Sequence, residues 1–192
     1  KDPDIEAITM LEPDLVVLDR EENRLEDHDA LVGAGVDVEV LHVASVADVG
    51  PALGRLATRL GTEFAAPEIG DPAPMTKTAF VPIWKRPWMT IGRATYGASV
   101  LAHLGIDVAF GERGDPYPTV EHGEIITAAP DLVLAPSEPY PFSSRHFAEL
   151  SRFGPTAFVD GQDLFWWGAR TAAATRRLAR VLATARAGLS VP

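Results

Sequence analysis

The phrase Ala129-Pro130-Asp131-Leu132-Val133 restates Glu12-Pro13-Asp14-Leu15-Val16, and at both places a helical stretch runs in and a polar loop follows. Proline ends a helix because it lacks an N–H and its ring crowds the preceding turn. The apolar runs Leu15-Val16-Val17-Leu18 and Leu132-Val133-Leu134-Ala135 then read as buried strands. The loops after them differ, charged at Asp19–Arg24 and aromatic and proline-rich at Pro136–Phe142. One helix–strand unit used twice predicts an α/β chain of two Rossmann-like lobes, with mainly parallel sheets facing a cleft. Ligands of open α/β sheets lie outside the carboxyl ends of the strands, so these loops are where binding residues are sought.

Bulk properties exclude some functions. A net charge of −10 argues against nucleic acid, which needs a basic surface or stripe. Arg176, Arg177, Arg180 and Arg186 form a small basic group, read as a solvated helix face near a helix C-terminus. The chain is 46% hydrophobic, ordinary for a protein with a core, yet no apolar run approaches the ~20 residues of a transmembrane segment. Cysteine is absent, which excludes disulfides, thiolate metal sites and a cysteine nucleophile.

Periodicity divides the chain into an N-terminal lobe at 1–61, a linker at 62–77 and a C-terminal lobe at 78–192. The first lobe reads helix 4–11, strand 14–18, helix 26–33, strand 37–43 and helix 46–60. Asp2 is the expected N-cap of the first helix, with Pro3 at its first position, and Ser45 caps the third. Pro67, Pro72 and Pro74 with Gly70 rule out a long helix in the linker. The second lobe opens on a strand at 78–84, in which Pro82 marks an edge or a bulge. Helix 96–104, strand 108–110, a helix capped by Thr119, strand 131–135, a helix near 144–152, strand 156–159 and a final helix near 167–186 follow.

Four loops carry candidate chemistry. Arg20, Glu21, Glu22, Asn23 and Arg24 make a charged turn that either caps the next helix or faces a ligand. Ile83 to Met89 concentrates Trp84, Lys85, Arg86 and Trp88, a binding wall or a core plug. Pro139 and Pro141 flank Tyr140 and stiffen the loop, presenting the ring beside Glu138 with little entropy left to lose. Phe165, Trp166 and Trp167 are consecutive at a strand-to-helix turn ahead of Arg170; at least one should face a cleft or a partner.

Metal and catalytic patterns are weak. His28, His42, His103, His122 and His146 show no ligand spacing, so no metal site is assigned. Ser99 and Ser137 lack nucleophile-elbow glycines, and no catalytic residue is assigned. Glu21, Glu22 and Glu138 could pair across a cleft as hydrolytic carboxylates, which keeps a hydrolase as an alternative.

Lys1-Asp2-Pro3-Asp4-Ile5-Glu6, Leu11–Val16, Trp84–Met89, Tyr117-Pro118, Ser137–Phe142 and Trp166–Arg170 together resemble, in order, the helical-backbone metal receptors. These are solute-binding proteins of ABC importers for cobalamin, haem and ferric siderophores. The resemblance implies two α/β lobes, no intrinsic cofactor, a metal chelate held as ligand, no chemistry upon it, and delivery to an ABC-importer permease. It also implies residues ahead of Lys1, which leaves the first lobe short of a strand, and a place in the cell envelope outside the cytoplasm. The loop at 19–24 and the turn at 163–167 match ligand-contacting segments. The candidate ligand-binding residues are therefore Arg20, Glu21, Glu22, Asn23, Trp84, Trp88, Glu138, Tyr140, Phe165, Trp166 and Arg170. Glu26 is a candidate for permease docking. The proline-rich stretch at 62–76 departs from the family's long connecting helix. Because some relatives lack export signals, a cytoplasmic chelate sensor or sequestering module is a further alternative.

Overall fold

The computed structural model describes residues 2–66 and 68–186, the side chains of Ala185 and Arg186 excepted. Lys1, Pro67 and the Arg186 side chain, which figure in the reading above, lie outside the described residues. The chain divides into two compact units, Lys1–Val43 with Gly50–Ala65, and Ala44–Val49 with Ala66–Pro192.

In the first unit, helix α1 (Ile5–Met10) is capped by Asp4, whose carboxylate accepts the Ala7 N–H at 2.9 Å. The expected cap, Asp2, lies too far upstream to reach that amide; it pairs instead with Arg24 at 2.7 Å. Strand β1 (Val16–Asp19), helix α2 (Leu25–Gly33) and strand β2 (Val38–Leu41) follow, and the strands pair in parallel from Val16↔Val38 to Asp19↔Leu41. Helix α3 (Val46–Arg59), which belongs to the second unit up to Val49 and to the first from Gly50, begins just after Ser45, whose hydroxyl donates to Asp48 at 2.7 Å. Residues 62–66 and 68–76 form neither helix nor strand.

The second unit is built on a four-stranded parallel sheet of order β6-β3-β8-β9, where β3 is Lys77–Phe80, β6 Ile106–Val108, β8 Leu132–Pro136 and β9 Thr156–Val159. Every residue of β8 is buried, as its unbroken apolar run predicts. The strand expected at 78–84 is two strands. After Val81 the chain enters β4 (Pro82–Trp84), which pairs antiparallel with β5 (Trp88–Thr90) in a separate three-stranded sheet completed by β7 (Thr119–Val120). The β4–β5 ladder slips register between Pro82 and Trp84, and Pro82 has no N–H to donate there.

Thr119 therefore does not cap a helix. Its backbone pairs with Met89, and helix α5 (His122–Ala128) starts at Glu121, which forms a reciprocal capping box with Glu124. Helix α4 (Tyr96–His103) joins β3 to β6 by way of the hairpin and stops at Gly105, whose φ of 78° suits glycine. A short helix α6 (Phe147–Leu150), helix α7 (Gly161–Phe165) and helix α8 (Thr171–Arg186) complete the unit, so the final helix starts later than its sequence suggests. Its core centres on Phe80, Phe110, Val133, Phe142, Leu150 and Phe153.

Candidate functional site

The chain leaves β3, runs through α4 to β6 on one side, then returns through α5 to β8 on the other. The strand order therefore reverses between β3 and β8, and a doubly wound sheet opens its crevice at the carboxyl ends of that pair. The segment following β3 carries Trp84. The loop following β8 carries Tyr140. The two rings meet edge to face with centroids 5.5 Å apart, a favoured geometry for aromatic pairs.

The two tryptophans of the hairpin behave differently. Trp84 is 46% exposed at the end of β4. Trp88 is half-buried, stacked on Phe142 and edge-on to Phe80 and Phe153, so it closes the core under the hairpin. Lys85, at the turn, lies 5.8 Å from the Trp88 ring and forms an ion pair with Glu149 of α6. The turn contains the cis peptide Arg86–Pro87, and the facing loop contains the cis peptide Glu138–Pro139.

Behind Trp84, half-buried Tyr140 packs on Phe142 at 4.6 Å, and Phe142 is only 4% exposed. Beside it, the Ser137 hydroxyl accepts the Gly161 N–H at 3.0 Å, which ties the loop after β8 to the start of α7. Glu138 lies hard against Gly161. A wall thus runs from the β4–β5 hairpin through 137–142 to α7.

At the end of α7, Phe165 turns inward over Gly97 of α4 and is half-buried. Trp166 is 52% exposed, the outward member of the aromatic trio; Trp167 is half-buried. Arg170 sits 5.8 Å from the Trp166 ring and is held there by Gln162 at 3.1 Å and Asp163 at 2.9 Å. Asp163 is 3% exposed and also accepts two hydrogen bonds from Arg177, one of them at 2.7 Å from Nε. The Arg177 hydrogen bonds hold its carboxyl below the usual carboxylate range despite burial. Arg176, Arg177 and Arg180 are all exposed, as a solvated face requires, and Arg177 in addition anchors this turn through Asp163.

The structure therefore brings Trp84, Trp88, Glu138 and Tyr140 into one neighbourhood. Trp166 is paired with Arg170, and Phe165 is packed on α4. In the first unit, Arg20, Glu21 and Glu22 are exposed on the turn after β1. Asn23 closes that turn from within, its side-chain oxygen accepting the Asp19 N–H at 2.9 Å, which is the local role that asparagine commonly takes in turns. His146, named in the sequence only as a histidine without ligand spacing, is buried beside Tyr140. Among the described residues, no group of three or more His, Asp or Glu side chains could hold a metal ion, and no helix is long and apolar enough to cross a membrane.

No protein-family sequence profile matches the chain. No curated sequence matches it either. Solved structures do. The periplasmic vitamin B12 binding protein BtuF of Vibrio cholerae superposes with a TM-score of 0.72 at 14% identity, over 97% of this chain and 80% of that one. A periplasmic heme binding protein from Pseudomonas aeruginosa gives 0.72 at 19% identity, over 98% and 77%. A possible iron-binding, periplasmic solute-binding protein from Staphylococcus epidermidis gives 0.72 at 15% identity, over 94% and 80%. The chain thus shares its fold with these three periplasmic binding proteins. All three of these neighbours are named as binding proteins.

Proposed function

We propose that this chain is a non-enzymatic solute-binding protein that holds a metal chelate, such as a cobalamin, a haem or a ferric siderophore, and delivers it to the permease of an ABC importer outside the cytoplasm. The observation that carries this reading is the Trp84–Tyr140 pair, one ring half in solvent, at the switch point of the second unit's sheet. Exposed aromatic surface on a rigid wall suits a large, flat, polar-edged ligand, because stacking then costs little side-chain entropy. Trp84, the exposed ring, would stack on the ligand face with Tyr140 bracing it edge-on from behind, while Glu138 and the Trp166–Arg170 pair would meet the ligand's polar edge. Arg20, Glu21 and Glu22 are the first unit's candidates for ligand contact. The fold shared with vitamin B12, heme and iron-binding periplasmic proteins supports the same class of ligand.

Equilibrium dialysis against hemin, cyanocobalamin and a ferric siderophore tests the reading. One of them should be retained saturably at micromolar concentration, with its absorption spectrum perturbed, and retention of none overturns the proposal. Export is tested separately by fusing the complete protein to alkaline phosphatase, which is active only outside the cytoplasm. An inactive fusion favours the cytoplasmic sensor or sequestering module.

A further inference from the structure

We propose that His146, in its neutral form, is the positioning residue that sets Tyr140 against Trp84, so that this site loosens its ligand in acid. The inference rests on the binding reading above. His146 ends the short helical turn Ser144–His146 and is 8% exposed. Its ring lies edge-on to Tyr140 at 5.6 Å and to Phe142 at 5.4 Å. Tyr140 therefore has Trp84 and His146 among its ring partners, one from the hairpin and one from its own loop.

The hydrogen bonding fixes the proton. Nδ1 of the His146 ring accepts the Ser143 backbone N–H at 3.2 Å, and the His146 backbone N–H donates back to the Ser143 carbonyl at 2.8 Å. A backbone N–H can only donate, so Nδ1 must be bare and the neutral ring carries its proton on Nε2. A second proton on Nδ1 would set one donor against another and place a charge among apolar rings, the least tolerant place for it.

Three charged groups face the ring: Arg145 from the same turn, Lys85 from the hairpin and Glu149 from α6. Burial, aided by Arg145 and Lys85, holds the imidazole below the ordinary histidine range. Glu149 and the Ser143 backbone act in the other direction, but the Glu149 carboxylate is already engaged by Lys85. At neutral pH the bond to Ser143 is intact. As pH falls, protonation breaks it and releases the 137–146 segment that carries Tyr140.

The test compares wild type, His146→Asn and His146→Leu from about pH 8 down to about pH 4, because the buried imidazole takes up its proton below the ordinary histidine range. The probe is whichever of hemin, cyanocobalamin or ferric siderophore is retained at neutral pH. The asparagine oxygen can occupy the place of Nδ1 and accept from Ser143, but it does not titrate. Wild-type affinity should drop by about tenfold over this range, the change that one unit of pKa coupling produces. His146→Asn should bind as wild type at neutral pH with a flat profile, and His146→Leu should bind weakly throughout. Near-UV circular dichroism of the unliganded protein gives a readout that needs no ligand. The aromatic signal should change over the same range in wild type and stay constant in His146→Asn. A flat wild-type signal, or an asparagine variant that titrates like wild type, overturns the proposal. If no probe binds at neutral pH, the binding reading fails, and the dichroism comparison still decides the role of His146.

Discussion

Gly161 has no room for a side chain because Glu138 occupies the space. A Cβ at position 161 would lie 2.4 Å from Glu138 Cγ and 2.8 Å from its backbone N and O. The loop after β8 can rest on the start of α7 only if that residue is glycine. Gly161→Ala should destabilise the protein by about 1–3 kcal/mol, as overpacking does, and weaken ligand binding by shifting the Glu138–Tyr140 segment. Gly54, in α3 with nothing within 4 Å of its virtual Cβ, supplies the contrast. Gly54→Ala should stabilise by about 0.5–1 kcal/mol through helix propensity. Urea unfolding of both variants checks the pair, and equal effects would contradict the packing argument.

In the proposed reading, Trp84 serves binding and Phe142 serves folding. Trp84 is half in solvent, whereas Phe142 is buried in the core under it. Trp84→Ala should cost about 2 kcal/mol of binding, the scale of a central aromatic anchor, while the unfolding midpoint changes little. Phe142→Ala should cost about 3–5 kcal/mol of folding stability. Binding titrations and thermal melts on the two variants distinguish these outcomes.

What could be read in the sequence was whatever local pattern decides. Leu132–Pro136 is a strand by its unbroken apolar run, and β1, α2 and α3 fall within a residue or two of expectation. Thr119-Val120 became a strand only because Trp88-Met89 lies alongside it, a partner more than twenty-five positions away that no local pattern announces. Likewise Pro82 signalled an irregularity, but not that β3 and β4 would serve different sheets. In the candidate site, clustered aromatics singled out the hairpin and the loop after β8, whose rings Trp84 and Tyr140 meet in the structure. They could not show that Trp84 would face out while Trp88 and Phe165 turned in, because that depends on which side of each loop the core lies. Asn23 was singled out as a polar residue in a polar loop, and that pattern could not show that its side-chain oxygen closes its own turn.

Asp163 links stability to pH. Its carboxyl is held below the usual range, chiefly by hydrogen bonds from Arg177. In the unfolded chain an aspartate titrates near 3.9, so at lower pH the unfolded state binds more protons than the folded one. The contribution of Asp163 is thus fully present above that value and is lost as pH falls through the folded pKa. Asp163→Asn should cost about 2 kcal/mol at neutral pH, the scale of hydrogen bonds to charged groups, and the gap from wild type should narrow in acid. A gap that stays constant from pH 7 down to the acid limb would show that the charge of Asp163 is not what matters.

Trp84, braced edge-on by Tyr140, is the proposed binding surface, and tryptophan fluorescence reads it directly. Wild type, Trp84→Phe and Trp88→Phe are titrated with hemin, cyanocobalamin and a ferric siderophore at neutral pH. One ligand should quench wild type saturably at micromolar concentration, and Trp84→Phe should lose a larger share of that quenching than Trp88→Phe. Quenching by none of them, or quenching that Trp84→Phe leaves unchanged, would contradict the account.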